Sequence, residues 1–512
     1  MRAHIPSHIR DSTREVAFSS SFTYNIRLTT FSHTSLPSSA VQDGVLLCKL
    51  INSSVKDTID PRAINIKKLN AFRIGENQTL AVNSASAIGC NCVNLGPQDM
   101  ANGTVHLVLG LLWQVIRIGL FAGINLKDCP GLSRLLEGDE TLADLLALPP
   151  DVLLLRWVNF HLAEAGTAKR VRNFGNDIKD SEAYTYLLNQ IAPKDAGVDL
   201  EPLKVGDLEQ RAEAMLGNAD KIGCRKFVRA GDVVRGNAKL NLAYVAHLFN
   251  TYPGLEPTEE FAGLAEFDLG EMDETREERT FRNWMNSLGC RPFVYNLYND
   301  LQDGQVLLQL FDAVQPGIVD WPRVNKAPFK KFGGTQKKLE NLNYALDLGR
   351  QLRFSIVGID GKDLYDGIKT LTLAVVWQLM RAYTLSVLQR LSGSDKRITD
   401  PQIIKWVNSK LEEGDKDSRI RTFKDPAIAT ALPVLDLVDA IKPESIDYDN
   451  VTAGDTEEDR LSNAKYAISM ARKIGANIYA LPEDLLEVRP KMCLTVFACL
   501  MARAMGKEAS LC

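Results

Sequence analysis

Histidines and cysteines are the residues most able to do catalytic or metal chemistry, and neither set is arranged for it. The chain of 512 residues has six histidines and nine cysteines. His106, His161 and His247 fall inside helical patterns, where a structural role is commoner than a catalytic one. Cys90 and Cys92 are close, but no second cysteine or histidine pair follows at zinc-site spacing. We therefore predict no metal site and no disulfide framework, as suits a reducing cytoplasm.

Motifs that hold nucleotides or calcium are also missing. Residues 358–362 have two glycines and a lysine, but a phosphate loop needs a longer spacing between its glycines. Residues 447–458 imitate a calcium loop, yet Val451 and Thr452 stand where a ligand and a glycine belong. Neither a Gly-x-Ser-x-Gly nucleophile turn nor a His-Glu-x-x-His motif occurs. We expect no enzymatic activity and no cofactor.

Composition and charge indicate a soluble protein of several domains. Hydrophobic residues make up 45% and charged residues 24% of the chain, and the net charge is -4, which argues against a nucleic-acid binder. The longest apolar run, residues 105–124, contains His106, Gln114 and Arg117, which are costly near a bilayer centre. This run therefore predicts a buried helix and no membrane insertion.

Four copies of a short helical sequence divide the chain into modules. The pattern Ala-x-x-(Ile or Leu)-Gly begins at Ala85, Ala219, Ala345 and Ala471, at intervals of roughly 130 residues. Alanine lets helices approach closely, and glycine accepts the left-handed conformation at a helix end. Because helical periods dominate and strand signals are scarce, the predicted fold class is all-α.

A tryptophan and an asparagine two positions later mark the start of three modules. These pairs are Trp157 and Asn159, Trp284 and Asn286, and Trp406 and Asn408. We expect the tryptophan to anchor the core and the asparagine to bond a neighbouring loop. The pattern therefore indicates folding rather than a ligand site.

The modules alternate between two kinds. The sequence Leu-Trp-Gln-Val-Ile-Arg at 112–117 has a counterpart, Val-Trp-Gln-Leu-Met-Arg, at 376–381, and Asp-Gly at 43–44 recurs at 303–304. The second and fourth modules lack both sequences. This order indicates that a unit of two modules was duplicated whole.

Segments rich in proline, glycine, serine or acidic residues separate the modules. Residues 1–37 are predicted to be an atypical or disordered extension. The predicted domains, called modules 1 to 4 below, cover residues 38–125, 149–254, 276–389 and 397–508.

These patterns resemble the calponin-homology domain. The resemblance lies in Asp-Gly-Val-Leu-Leu-Cys-Lys-Leu-Ile-Asn at 43–52, and it is particularly close at 277–289, Glu-Glu-Arg-Thr-Phe-Arg-Asn-Trp-Met-Asn-Ser-Leu-Gly. Four such domains in two pairs, over roughly residues 40–508, are similar to the fimbrin/plastin family of actin-bundling proteins. The resemblance implies two tandem actin-binding pairs that cross-link filamentous actin. It also implies a monomer in the cytoplasm, on the actin cytoskeleton.

Two features depart from that family. No calcium-binding EF-hand headpiece precedes the first module, so we expect no calcium control through this chain. Tyr24 stands where a tryptophan is expected, and Asn25 follows it directly, so module 1 lacks a recognisable first helix. A variant start or a faulty gene model explains this equally. The alternative function is a monovalent actin side-binder or scaffold whose first pair is inactive.

The resemblance places actin contacts on the opening and last long helices of the odd modules and on the start of the even ones. The predicted last helices cover residues 106–120 and 369–383. Leu112, Trp113, Val376 and Trp377 are expected in the core. The repeated glutamine and arginine leave two interpretations open, actin contact or a solvated face. The predicted actin-binding residues are His106, Gln114, Arg117, Arg282, Asn286, Lys369, Thr372, Gln378 and Arg381.

Overall fold

The computed structural model describes residues 41–126, 128–257, 274–330, 332–393 and 398–506. The predicted extension at 1–37, the first-helix region around Tyr24 and most of the acidic linker lie outside these residues. Within the described ranges all regular secondary structure is helical and no strand occurs. The predicted all-α class is confirmed.

The helices follow the modular order. Module 1 has α1 (Val45–Ser54), α2 (Ala71–Ala87), α3 (Pro97–Ala101) and α4 (Val105–Ala122), and α5 (Leu142–Leu146) precedes module 2. Module 2 has α6 (Pro150–Glu164), α7 (Glu182–Ile191), α8 (Leu208–Lys221), α9 (Ala230–Arg235) and α10 (Ala238–Thr251). Module 3 has α11 (Arg276–Ser287), α12 (Leu297–Leu301), α13 (Gln305–Val314), α14 (Gly334–Gln351), α15 (Gly361–Tyr365) and α16 (Lys369–Ser392). Module 4 has α17 (Asp400–Glu413), α18 (Leu432–Ile441), α19 (Glu457–Lys473), α20 (Pro482–Leu486) and α21 (Pro490–Met505).

Short 3-10 helices occur between these elements. They are Pro61–Ala63, Pro130–Leu135, Asn176–Ile178, Glu201–Lys204, Trp321–Arg323, Pro426–Thr430 and Tyr448–Asn450. The chain forms two compact bodies. The first body contains described residues from 116 to 257, and the second contains residues 41–115 together with those from 274 to 506.

In the first body, module 2 is organised around Trp157. Its side chain is buried, its Nε1 donates a hydrogen bond to the carbonyl oxygen of Pro253 at 2.7 Å, and its ring meets Phe249 edge-on at 5.4 Å. His161, one turn later on α6, contacts the same carbonyl oxygen at 3.0 Å. The buried indole therefore satisfies its one polar atom, as a core tryptophan requires.

In the second body, α11 shows how sequence begins and ends a helix. The Thr275 hydroxyl oxygen accepts a hydrogen bond from the Glu278 amide at 3.2 Å, and the Glu278 carboxylate accepts one from the Thr275 amide at 2.8 Å. These two bonds satisfy amide donors that have no partner within the helix. Phe281 and Trp284, three residues apart, face the core. Gly289, with a φ of 78°, follows the end of the helix.

The asparagine of the repeated Trp-x-Asn pattern binds a loop, as predicted. Asn286 accepts the amide of Val294 at 2.8 Å and donates to its carbonyl oxygen at 2.8 Å. Asn159 forms the same two bonds with Val171, and Asn408 forms them with Ile420. One residue type thus fixes an equivalent loop in three modules. Trp157 and Trp284 are buried, whereas Trp406 is half-buried.

The Asp-Gly repeat marks a tight turn before α1 and α13. Gly44 and Gly304 have φ angles of 76° and 74°, a region that favours glycine. A Cβ at Gly304 would lie 2.8 Å from the Cβ of Asn341. Asn341 donates to the carbonyl oxygens of Asp303 and Asn325, each at 2.8 Å, and therefore holds the turn in place.

Replacing Gly304 by alanine is expected to lower the free energy of unfolding by roughly 2–3 kcal/mol, because it adds both backbone strain and a clash. Gly358→Ala is the matched control, since its φ is 77° but no atom lies within 4 Å of the place that its Cβ would occupy. In the control variant, the free energy of unfolding should fall by about 1 kcal/mol. Urea unfolding followed by circular dichroism measures both. Equal losses would show that the approach to Asn341 is unimportant.

Two helices are long and apolar enough to cross a membrane by length and composition, α4 and α16. Each nevertheless has a buried side. In α4 that side includes Val108 and Leu111, and in α16 it includes Val375 and Leu379. A core helix of a globular module has this arrangement.

Candidate functional site

The exposed ends of α4 and α16 carry the first two predicted site residues. His106 and Lys369 are both exposed and lie within the first two residues of their helices. The Lys369 ammonium lies 5.7 Å from the ring centroid of Tyr298, at cation–π distance. Both side chains can therefore reach a partner without any rearrangement of the helix.

The repeated glutamines hold loops. Gln114 accepts the amide of Asn91 at 2.8 Å and donates to its carbonyl oxygen at 3.1 Å. Gln378 forms the same pair of bonds with Ser355, at 2.5 and 3.0 Å. The glutamine therefore recurs because it binds a loop in both modules, which is neither the actin contact nor the solvated face that the sequence left open. Both side chains are only half-buried, so the loop and the glutamine together form part of the surface.

The repeated arginines face the start of the following even module. Arg381 donates to the carboxylate of Asp400, the first residue of α17, at 2.5 Å. In the first body, burial lowers the pKa of Arg117, while the negative charge of Asp151 near the start of α6 acts in the opposite direction. Each arginine is thus placed where the last helix of an odd module approaches the first helix of its neighbour.

The remaining predicted residues differ in accessibility. Arg282 is half-buried and forms two hydrogen bonds to Glu274, at 2.5 and 2.8 Å. Asn286 is 2% exposed and Thr372 is 1% exposed. Neither of these two side chains reaches the surface, because Asn286 is directed at its loop and Thr372 lies on the inner side of α16. A partner that binds the outer side of these helices would touch neither of them.

Exposed apolar residues beside these positions were not among the predicted actin-binding residues. Val105 is 58% exposed and Leu109, one turn later on α4, is 36% exposed. Ile368, directly before α16, is also exposed. An apolar centre with a polar rim is typical of protein interfaces. Val105 and Leu109 lie one turn apart on one face of α4, and this apolar spacing was the signal available in the sequence.

The four residues expected in the core divide into two types. Leu112 and Val376 are buried, as predicted. Trp113 and Trp377 are half-buried, and the Lys491 ammonium of module 4 lies 5.7 Å from the Trp377 ring centroid. These tryptophans therefore lie at the edge of the core.

The described residues also bear on chemistry at metal ions and at thiols. Among the described residues, no group of three or more histidine, cysteine or acidic side chains is placed to hold a metal ion. Burial raises the pKa of the Cys48 and Cys290 thiols to about 12, so neither is a ready nucleophile. The positions singled out by the sequence lie instead along the faces of long helices.

Comparison with known proteins accounts for this architecture. The calponin homology (CH) domain family matches residues 28–120, 148–254, 275–385 and 398–506. Fimbrin of Dictyostelium discoideum is 56% identical over 468 residues, which is 91% of this chain and 75% of that protein. The chain belongs to the fimbrin/plastin family. Another relative in this family, plastin-3 of Homo sapiens, is 56% identical over 478 residues, with the same coverage.

A solved fimbrin structure supports the same assignment. The crystal structure of the actin-crosslinking core of Schizosaccharomyces pombe fimbrin matches with a TM-score of 0.77 and 43% sequence identity. The match covers 95% of this chain and 97% of that chain. The predicted fold, four CH domains in two pairs, is therefore confirmed.

Proposed function

We propose that this chain binds actin filaments and cross-links them into bundles, with one binding surface in each of its two pairs of CH domains. The observation that carries this proposal is the match, over nearly the whole chain, to a fimbrin fragment described as an actin-crosslinking core. Two separate surfaces on one chain convert binding into bridging, because the second surface can capture another filament. A monomer is then sufficient for cross-linking.

The proposed surfaces lie on helices α4, α11 and α16. The side of a filament is an extended surface rather than a pocket, so we expect it to be bound by polar and apolar side chains distributed over a wide area. The first surface consists of His106, Gln114 and Arg117, with Val105 and Leu109 beside them. The second consists of Arg282, Lys369, Gln378 and Arg381.

The accompanying proposals follow from the same role. We propose a non-enzymatic protein of the cytoplasmic actin cytoskeleton that neither inserts into membranes nor binds nucleic acid. The module boundaries given above remain a prediction. The net charge of -4 is in keeping with a partner other than nucleic acid.

Co-sedimentation of the full chain with actin filaments tests the main proposal. Bundles pellet at low speed, whereas single filaments with bound protein pellet only at high speed. Pelleting of actin at low speed is the expected result. Pelleting at high speed alone would mean that one pair is inactive, and absence of the folded chain from both pellets would refute actin binding.

A charge reversal tests the second surface. Lys369→Glu is expected to weaken the second site about tenfold, because it removes an exposed cation and places a carboxylate at the interface. Low-speed pelleting should fall while the first site keeps the chain on filaments at high speed. Lys424→Glu in module 4 makes the same charge change at an exposed position outside the proposed surface. An equal loss in both variants would contradict the assignment of Lys369.

A further inference from the structure

A large cleft, which we call the 3–4 cleft, lies between modules 3 and 4 in the second body, beside the end of α16. Its volume is about 890 Å³, which is within the range of pockets that hold small organic molecules. The apolar side chains of Leu352, Leu385 and Ile398 line it and are 8–9% exposed. Phe354 also lines the cleft, is half-buried, and stacks on Phe311 at a centroid distance of 5.6 Å. The cleft therefore has an apolar and aromatic wall against which an organic group can pack.

The charged residues of the cleft are three arginines and one acid, Arg353, Arg381, Arg390 and Asp400. Arg381 is paired with Asp400 at 2.5 Å. Arg353 and Arg390 are exposed, and among the described residues their guanidinium groups have no hydrogen-bond or ion-pair partner. A guanidinium presents a planar set of donors that matches the oxygens of a phosphate group. The cleft thus has an excess of positive charge and two guanidinium groups that are available to an anion.

Arg353 occupies a backbone position that the other three modules give to glycine. After α2, α8 and α19 the chain turns through Gly89, Gly223 and Gly475, whose φ angles are 96°, 69° and 106°. The corresponding residue after α14 is Arg353, with a φ of 62°. In all four modules the next amide donates to the carbonyl oxygen five residues earlier, at 2.8–3.0 Å. Gly349, the glycine that the repeated sequence places at this helix end, lies within α14 instead.

The calponin-homology fold does not require arginine at either exposed position. A residue with a Cβ is strained in the left-handed region, and strain of this kind is concentrated at functional sites. Module 1 has Gly89 in the place of Arg353. It has Leu126 in the place of Arg390, nine residues after the repeated arginine. Because the fold is built without these two guanidinium groups in module 1, we attribute them to a ligand of module 3.

The 3–4 cleft shares two residues with the second proposed actin surface. Gln378 and Arg381 line the cleft and also belong to that surface. A molecule in the cleft would engage the donors of Arg381 and cover this side of α16. The same side chains would then be closed to a filament, so the two partners would exclude each other.

We propose that the 3–4 cleft binds an organic molecule that carries two or more phosphate groups and an apolar or aromatic part. The phosphates would contact Arg353, Arg381 and Arg390, and the organic part would pack against Phe354. A free nucleoside polyphosphate and the headgroup of a phosphorylated inositol lipid share this chemistry. Occupancy of the cleft blocks the second actin surface and leaves the chain on filaments through the first. This consequence rests on the proposed function, whereas binding to the cleft does not.

Binding to the full chain is measured with two probes. ATP is titrated by calorimetry without divalent cations, and phosphatidylcholine vesicles that contain phosphatidylinositol bisphosphate are tested by co-sedimentation. We expect one molecule of ATP to bind each chain, and tripolyphosphate, which lacks the organic part, to bind about tenfold more weakly. Binding of the vesicles alone would identify a lipid headgroup as the ligand. Binding of neither probe would overturn the proposal.

Arg353→Gly separates a role in binding from a role in folding. The substitution removes the guanidinium and returns the position to the residue type of the other modules. The variant should bind the probe about tenfold more weakly, yet melt at a temperature no lower than the unsubstituted chain. Arg390→Ala should weaken binding by a similar factor. Arg421→Ala removes the same charge at an exposed position of module 4 outside the cleft and should change binding less than twofold. Equal losses in the Arg353 and Arg421 variants would reduce the effect to general charge attraction and overturn the site.

Low-speed co-sedimentation with actin filaments tests the competition. A saturating concentration of the probe that binds should lower low-speed pelleting of actin at least twofold, while the chain still pellets with filaments at high speed. The same concentration should have less than half this effect on Arg353→Gly, which controls for any action of the probe on actin itself. Unchanged low-speed pelleting with the probe bound would overturn the competition. If the unsubstituted chain fails to bundle actin without any probe, the proposed function fails, whereas the calorimetric result for the cleft stands.

Discussion

Replacing Trp284 by alanine is expected to destabilise module 3 by about 3–5 kcal/mol, the range for removal of a buried aromatic side chain. Trp284 is 1% exposed, and its ring meets Tyr383 of α16 at a centroid distance of 5.9 Å. A cavity of about 50 Å³ already borders it. Truncation would enlarge this cavity and remove the contact between α11 and α16, the two helices that carry the second actin surface.

Hydrogen exchange of the α16 amides measures this loss in the intact chain. A loss of about 3–5 kcal/mol corresponds to exchange that is faster by on the order of 10²- to 10⁴-fold, if the amides exchange through opening of the module. Trp406→Ala is the matched control at the equivalent position of module 4. Trp406 is half-buried, so we expect a smaller loss of about 1–2 kcal/mol there. Equal losses at both positions would contradict the argument from burial.

The stability of module 2 is expected to fall by about 2–3 kcal/mol as the pH drops from about 6.5 to about 4. His247 on α10 is buried, and its ring lies 5.8 Å from that of Phe227. Burial, together with the positive charge of Lys226, lowers the pKa of His247 to about 4. Because the unfolded chain binds the proton more readily over this range, acid favours unfolding. The stabilisation is complete above the ordinary histidine pKa.

His247→Leu tests this pH dependence. The variant should lose the part of the pH dependence that arises from His247, measured by hydrogen exchange of the α8 and α10 amides at several pH values. His106→Leu is the control, because His106 is exposed and belongs to module 1. An identical pH dependence in the His247 variant and the unsubstituted chain would show that this histidine does not drive the acid effect.

The sequence predicted the features that repeat. The Trp-x-Asn and Asp-Gly patterns each recur because one local geometry recurs, and the Asn286 bonds to Val294 and the turn at Gly304 provide that geometry. The all-α class followed from the same periodicity. Such a pattern can be recognised in a single sequence because the residues that contact one another lie within a few dozen positions along the chain.

The sequence was less informative about where a polar side chain points. Gln378 and Thr372 lie on the same helix, yet one bonds a loop at the surface and the other faces the core. Helical periodicity places residues on a face, but packing of neighbouring elements decides which face is covered. The contact between modules 1 and 4 was beyond sequence reasoning for a similar reason, because Ser86 and Tyr479 meet across 393 residues and neither is one of the residues that repeat.

That separation has a consequence during synthesis. At typical rates of translation, 393 residues take roughly 20–80 s to add, so module 1 leaves the ribosome long before its partner exists. Throughout that interval the side of α2 that later contacts module 4 is exposed to water. Asn83 and Ser86, which form hydrogen bonds with module 4 in the complete chain, are polar and can hydrogen-bond to water in the meantime. Because Asn83 and Ser86 are polar, the nascent module exposes less apolar surface here than leucine or phenylalanine at these two positions would expose.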